Sequence, residues 1–524
     1  MLGRNNGTPK EHRQAMTLTL QSAADLLSEH GLLREIITPD RWTDFAGVLP
    51  GADVPFAHIT YDTKQIRPRT LMCCKGNFKA AYLDGADDAG IAAYVAEHDY
   101  SSATRAPGLI VSSATKALSL LAQAFYDYPE RELTLIGVTG TKGKTTTAYF
   151  THAVINTMCG GTCALFSSVD NCVDGKHYVA SDLTTPESLD AARMMREAVA
   201  NGMRYLVMEV SSQAYKVDRV HGLTFDAAAF LNISPDHISP IEHPTFEDYL
   251  YCKRQIVRNT RALVLNIPGD YTDLIAEDAT VMSVPVTTCS IEDMNADVNA
   301  RPVDDAHTTF AFTAGQPLGE LHLALEGDFN YANACAALAL AHTVGIDIED
   351  PRALQSLADV RISGRMEEME DPRSDTVAIV DYAHNYASVS ALLDFVERRF
   401  GDRHPRITLL TGSTGDKAID RRHEIVEAAQ DRVQRIVLTA EDTDKEDPMA
   451  VAEEMLGYVT NPDVDASIII DRAAAVEDIV AEARDHDGFD VLLVIGKGDE
   501  QWMKVRNRHV PYEGDSYILT RMFS

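Results

Sequence analysis

LTLIGVTGTKGKTTTA, Leu133–Ala148, is the stretch from which the fold is read. Leu135, Ile136 and Val138 are the aliphatic and β-branched residues of a buried parallel strand. Gly140 and Gly143 let the following loop turn backbone N–H groups inward around a phosphate, and the helix opening near Thr145 adds its positive end. Lys144 then places an ammonium on the β- and γ-phosphates, and the Thr145 hydroxyl is a ligand for Mg2+. Val138 stands where such loops usually carry their first glycine, so the Gly-Lys-Thr triplet is weak alone. Strand, loop and helix in that order make it a nucleoside triphosphate site rather than a glycine-rich turn.

Working outward, the text after this cradle alternates strands and helices: Thr162 to Phe166, Tyr205 to Val210, Ala227 to Asn232 and Ala262 to Asn266. That rhythm predicts a doubly wound parallel sheet with functional groups at the carboxyl ends of its strands. Residues 281–325 read as a strand excursion, and GDFNYANACAALALA as a loop feeding an Ala-rich helix. Past Arg361 the alternation restarts with TVAIVDY, ITLLTG, RIVLTA, ASIIID and DVLLVIG, a second, Rossmann-like sheet. Before the cradle, residues up to about 15 read as a disordered leader, Leu18 to His30 as an amphipathic helix, and Ala57 to Tyr126 as a small α/β domain. Lys75 and Lys79 on a loop of that domain read as solvated lysines. The expected fold is therefore α/β with three domains: 1–131, 132–361 and 362–524.

The chain has 524 residues, too many for one core, with ordinary hydrophobic (45%) and charged (24%) fractions. A formal charge of -32 argues against nucleic acid as a partner, which needs clustered Lys and Arg. The eight cysteines form no Cys-x-x-Cys pair, which points to reduced thiols and no zinc site. The N-terminal text lacks an apolar signal core, and no run approaches a membrane span. A cytoplasmic monomer with no membrane partner is expected.

Three strand ends carry polar text: Ser181 to Ser188, Glu209 to Ser212, and Asn232 to His237. Glu209 sits where a carboxylate completes the Mg2+ shell of an ATP site, and Asp236-His237 could hold a second metal, although Mg2+ prefers oxygen ligands. Lys253, in FEDYLYCKRQIV, reads as an ordinary solvated helix lysine on these grounds alone.

GTKGKTT, LTTPESLD, MEVSSQAY, NISPDHI, GDFNYANA, SGRME and DYAHN occur in the order found in the Mur ligases, and the chain resembles that family over nearly its whole length. CCKGNFKAAYL, SPDHISPIEHPTFEDY and TGSTGDK are similar to the lysine-adding rather than the diaminopimelate-adding branch. The resemblance implies that ATP phosphorylates the D-Glu γ-carboxylate of UDP-N-acetylmuramoyl-L-alanyl-D-glutamate, and that the amine of a diamino acid then displaces the phosphate. It implies ATP contacts from Gly140, Thr141, Lys142, Gly143, Lys144, Thr145 and Thr146, from Asn330 and Asn333 beside the adenine, and from Arg365, Asp381, His384 and Asn385 of the third domain. Thr145, Glu209, His237 and Lys253 would serve two Mg2+ ions, with Lys253 carbamylated and Lys144, His237 and Lys253 catalytic. Thr63, Thr184, Thr185, Ser211 and Arg219 would contact the UDP-sugar peptide.

At Glu441 to Asp444, EDTD, the diaminopimelate branch has Asp-Asn-Pro-Arg, whose Arg holds the distal carboxylate of its substrate. Here that position is Asp444. A carboxylate about 4 Å from an ammonium gains roughly 4 kcal/mol at an effective dielectric of about 20, and loses as much against a carboxylate. Asp442, Asp444 and, by resemblance, Glu500 in GKGDEQ are thus expected to hold a cationic tail. L-lysine is favoured, with L-ornithine or meso-diaminopimelate as alternatives. A folylpolyglutamate- or cyanophycin-type ligase is disfavoured by the ordered motifs, and a non-catalytic nucleotide-binding paralogue by the presence of Lys144, Thr145, Glu209, His237 and Lys253.

Overall fold

A computed structural model describes residues 17–524 apart from 237, 240, 241, 417 and 507. The leader reading and the metal and catalytic assignments of His237 fall outside the described residues. Three large sheets and one two-stranded hairpin carry the described residues. In the central one, strand Thr134–Thr139 lies between Tyr205–Glu209 and Ala227–Phe230, with Cys163–Phe166 and Leu263–Asn266 beyond them, all parallel. The carboxyl ends of the three middle strands thus open side by side around the phosphate loop, where an open α/β sheet binds its ligand.

Residues 281–325 do not leave this sheet. Strands Val286–Ser290, Val298–Pro302, Thr309–Ala314 and Gln316–His322 extend it at one edge and Asp170–Cys172 and Tyr178–Ala180 at the other, eleven strands in all. Helix Lys144–Met158 packs on helix Asp328–Thr343, whose alanines are almost all fully buried. Small side chains let the two backbones approach, so the Ala-rich text marks a buried helix rather than a solvated one.

The first sheet includes an antiparallel edge not apparent from the sequence, Leu33–Thr38 paired with Arg41–Thr43. The third sheet has five parallel strands in the order Thr376–Asp381, Asp490–Ile495, Arg406–Thr411, Arg435–Leu438, Asp465–Ile468, with Glu367–Asp371 added antiparallel. All eight cysteines are unpaired. Among the described residues no helix is long and apolar enough to cross a membrane.

Candidate active site

Gly143 adopts φ 80°, and a Cβ there would run into Asn333 Oδ1, so this position requires glycine on two counts. The loop is clamped from the next strand end. Asn232 Oδ1 accepts from Lys142 N at 2.9 Å, its Nδ2 donates to Lys142 O at 3.2 Å, and Thr141 Oγ1 meets Tyr249 OH at 3.0 Å. Lys144 Nζ donates to Gly140 O (2.9 Å) and Thr141 O (3.1 Å), folded onto the loop it serves. Asn330 and Asn333 are buried beside it and bonded to each other at 3.2 Å, with Thr147 Oγ1 donating to Asn333.

Glu209 is fully buried at its strand end. Its Oε1 accepts from Ser168 N at 2.8 Å, while Ser168 Oγ lies 2.9 Å from Thr145 Oγ1. Glu209 Oε2 has no hydrogen-bond partner. A buried carboxylate oxygen left unsatisfied is costly unless a cation takes it, and this oxygen and the Thr145 hydroxyl, linked through Ser168, are hard ligands of the kind that suit Mg2+.

Lys253 is not solvated. It is 2% exposed, donates to Gly140 O at 2.7 Å, and its Nζ lies 4.8 Å from the centre of the Tyr249 ring one helical turn earlier. Burial, reinforced by the nearby Lys144 ammonium, pushes its pKa well below the ordinary lysine value and favours the neutral amine.

The third sheet meets this loop. Lys142 Nζ lies 2.9 Å from His384 Nε2, and His384 Nδ1 donates to Tyr382 O at 2.6 Å. Burial and the facing Lys142 hold this imidazole neutral, so Nε2 accepts. Asp236 is buried at the end of the NISPD segment and receives Arg421 through Nε (3.1 Å) and Nη2 (2.5 Å), with Lys142 at 3.5 Å. Asp381 accepts from Met366 N and Ala383 N, and the Arg365 guanidinium lies 4.5 Å over the Tyr382 ring. Asn385 spends its Oδ1 capping helix Tyr386–Phe400.

On the other flank, Thr185 Oγ1 ties its loop to Glu209 O (2.9 Å) and Ser211 N (3.0 Å), and Ser211 caps helix Ser212–Lys216. Thr184 is half-buried beside it. Arg219 grips Glu187 Oε1 through Nε and Nη2 and reaches Thr185 O. Glu187 also pairs with Lys75, and Tyr61 donates to Asp190 at 2.7 Å. Lys75 is thereby corrected from a solvated lysine to an ion pair with Glu187, its ammonium 4.5 Å from the centre of the Tyr61 ring, and Thr63 is half-buried two residues after that tyrosine. In the third sheet the acidic groups have protein counter-ions: Lys497 bonds Asp442 at 2.9 Å and pairs with Glu500, and Lys504 lies 3.4 Å from Asp444.

The model of the Mur ligase middle domain matches residues 138–341, and that of the Mur ligase glutamate ligase domain matches 364–498. The chain belongs to the Mur ligase family. It is 62% identical to the UDP-N-acetylmuramyl-tripeptide synthetase of Bifidobacterium longum, covering 97% of this chain and 100% of the relative. It is 40% identical to the UDP-N-acetylmuramoyl-L-alanyl-D-glutamate--L-lysine ligase of Enterococcus faecalis, covering 97% and 99%. Its fold matches a solved UDP-N-acetylmuramoyl-L-alanyl-D-glutamate--2,6-diaminopimelate ligase with a TM-score of 0.63 at 20% identity, covering 97% of this chain and 99% of that one.

In this Mur ligase the residues singled out around the phosphate loop do gather: Lys142, Lys144, Thr145, Asn333, Lys253 and His384 are linked directly or through one neighbour. Sequence reasoning missed Asn232 and Tyr249 as loop clamps, Ser168 as the link between Thr145 and Glu209, and Arg421 as the partner of Asp236. Only Asn232 left a signal, as the first polar residue after an apolar strand.

Proposed function

We propose that this Mur ligase joins L-lysine to the D-Glu γ-carboxyl of UDP-N-acetylmuramoyl-L-alanyl-D-glutamate, with ATP cleaved to ADP and phosphate through an acyl phosphate. The reading rests on family membership and on one observation: Glu209 Oε2 is buried without a hydrogen-bond partner, the Thr145 hydroxyl is linked to Glu209 through Ser168, and the buried Lys253 amine reaches Gly140 O of the phosphate loop. The names of the relatives support the acceptor, and the relative in Enterococcus faecalis supports lysine.

Thr145 and Glu209 would hold one Mg2+, and a carbamate on Lys253 would supply oxygen to a second. When bound, these ions withdraw charge from the phosphates as two anions are brought together. Lys253 is suited to capture carbon dioxide. Its neutral nitrogen forms the N–C bond and loses a proton, turning a buried amine into a carboxylate-like ligand. Lys144 stabilises charge on the transferring phosphoryl group from a position fixed in advance. Loop N–H groups and the start of helix Lys144–Met158 add to it. Arg365 and His384, brought from the third sheet, cover the nucleotide and help exclude water from the acyl phosphate. Arg219, Thr185 and Ser211 flank the acceptor's side of the crevice, with Thr63 across the junction. Asp442, Asp444 and Glu500 favour a cationic tail over a second carboxylate.

The test is steady-state phosphate release with the UDP-muramoyl-dipeptide, ATP and each of lysine, ornithine and diaminopimelate. Lysine should give the highest kcat/KM. One methylene separates it from ornithine, about 0.8 kcal/mol of burial, so a few-fold preference is expected there and a much larger one over diaminopimelate. No phosphate release with any of the three overturns the reading.

A further inference from the structure

The loops after strands Asp490–Ile495 and Arg435–Leu438 lie on either side of strand Arg406–Thr411, at the carboxyl end of the third sheet. The loop after the middle strand contributes little side-chain bulk. Gly412 and Gly415 lie against the backbone of Thr439 and Thr443, where a Cβ has no room. Across this gap the Lys497 ammonium joins the flanking loops. It donates to Asp442 Oδ1 at 2.9 Å, pairs with Glu500 Oε2, and lies 4.3 Å from the centre of the Trp502 ring. Its side chain is 1% exposed, against 17% for Asp442 and 31% for Glu500. The lysine therefore lies beneath the carboxylates rather than in front of them. Asp442 Oδ1 also accepts from Lys504 N. Asp442 Oδ2 and Glu500 Oε1 make no hydrogen bond with any described residue.

We propose that Lys497 is a positioning residue that sets the diamino-acid specificity of this ligase, by anchoring one oxygen each of Asp442 and Glu500 so that their second oxygens converge on the substrate's side-chain ammonium. The proposal rests on the reading of Asp442 and Glu500 as the diamino-acid site. Two carboxylates on separate loops repel each other and swing toward solvent unless a cation holds them. With Lys497 counted, the trio carries one net negative charge. That balance admits one ammonium, and leaves a neutral or carboxylate-bearing tail without compensation. The Trp502 ring, 4.3 Å from the ammonium, adds a cation–π contact that favours the lysine in this position.

The experiment measures KM for lysine, ATP and the UDP-muramoyl-dipeptide in the wild type and in Lys497→Met, Lys497→Arg, Asp442→Asn and Glu500→Gln. Lys497→Met should raise the lysine KM about tenfold, the size of one charge-assisted hydrogen bond, with both other KM values within about twofold and kcat within about threefold. Lys497→Arg keeps the charge but presents a planar head that fits both carboxylates less well, so its lysine KM should rise about threefold. An unchanged lysine KM in both variants, or an equal rise in all three KM values, overturns the role of Lys497. If Lys497→Met fails to accumulate folded, the arginine variant decides alone, by the same criterion. If Asp442→Asn and Glu500→Gln also leave the lysine KM unchanged, the diamino-acid site itself is misplaced. If they raise it and the Lys497 variants do not, only the positioning role falls.

Discussion

Lys253 shows how far a single residue's meaning depends on where the chain puts it. In sequence it is one cation in an amphipathic segment; in the fold it is buried against Gly140 O, under pressure to lose its proton. Lys253→Ala should lower kcat by about a hundredfold, the scale of one lost electrostatic contact in a catalytic site, and short carboxylic acids should restore part of it. Full activity in the variant would contradict the carbamate role. Asp444 carries a second prediction. It sits at φ 52° with Lys504 at 3.4 Å, so Asp444→Arg would place a bulkier side chain on strained backbone and set two cations together. The single substitution should cut lysine kcat/KM at least about tenfold without creating diaminopimelate use. Pairing it with Lys504→Ala should begin to allow diaminopimelate, measured as phosphate release with that substrate.

Among the elements, helix Lys144–Met158 carries one buried imidazole. His152 is 3% exposed and donates from Nε2 to Cys163 O at 3.0 Å, and burial pulls its pKa from 6.5 to about 4. Between those values the unfolded chain binds a proton that the folded chain refuses. Stability therefore rises with pH from about 4 to 6.5 and is flat above, the loss reaching about 2 kcal/mol at pH 5. His152→Gln keeps a donor for Cys163 O without titrating. Its melting temperature should fall about 2 °C less than the wild type's between pH 7 and pH 5, and parallel curves would refute the assignment. The helix and its parallel strands were legible because buried aliphatic runs and a glycine loop leave local signals. Glu367–Asp371 and the hairpin Trp502–Val505/Arg508–Pro511 were not, since their partly exposed text lacks an apolar run and their pairing is settled by neighbours. The same holds for the site. Lys144 and Thr145 announce themselves locally, whereas the Asn232 clamp acts on a loop ninety residues away.

At the scale of the molecule, polar groups tie the third sheet and its helices to the central domain at two places, Arg421 on Asp236 with His384 on Lys142 beside the phosphate loop, and Arg398 on Asp328 with Arg399 on Glu326 at the start of helix Asp328–Thr343. The side chains of Asp236 and Arg421 are 2% and 11% exposed, so the pair is fixed and dry. Removing one partner from a buried pair typically costs about 3–5 kcal/mol, and Lys142 at 3.5 Å from Asp236 offsets part of that here. We predict an alternative to unfolding, in which the third sheet swings away and lets water reach Asp236. Arg421→Ala should therefore open the molecule rather than unfold it. The scattering radius of gyration should increase, the melting temperature should fall by less than that cost implies, and the ATP KM should rise because Arg365 and His384 leave with the sheet. Excess ATP should draw the variant closed again, since the phosphates offer Lys142 and its neighbours a replacement anion. A variant with unchanged scattering and the full stability loss would make the pair a structural brace, with nucleotide closure depending on other contacts.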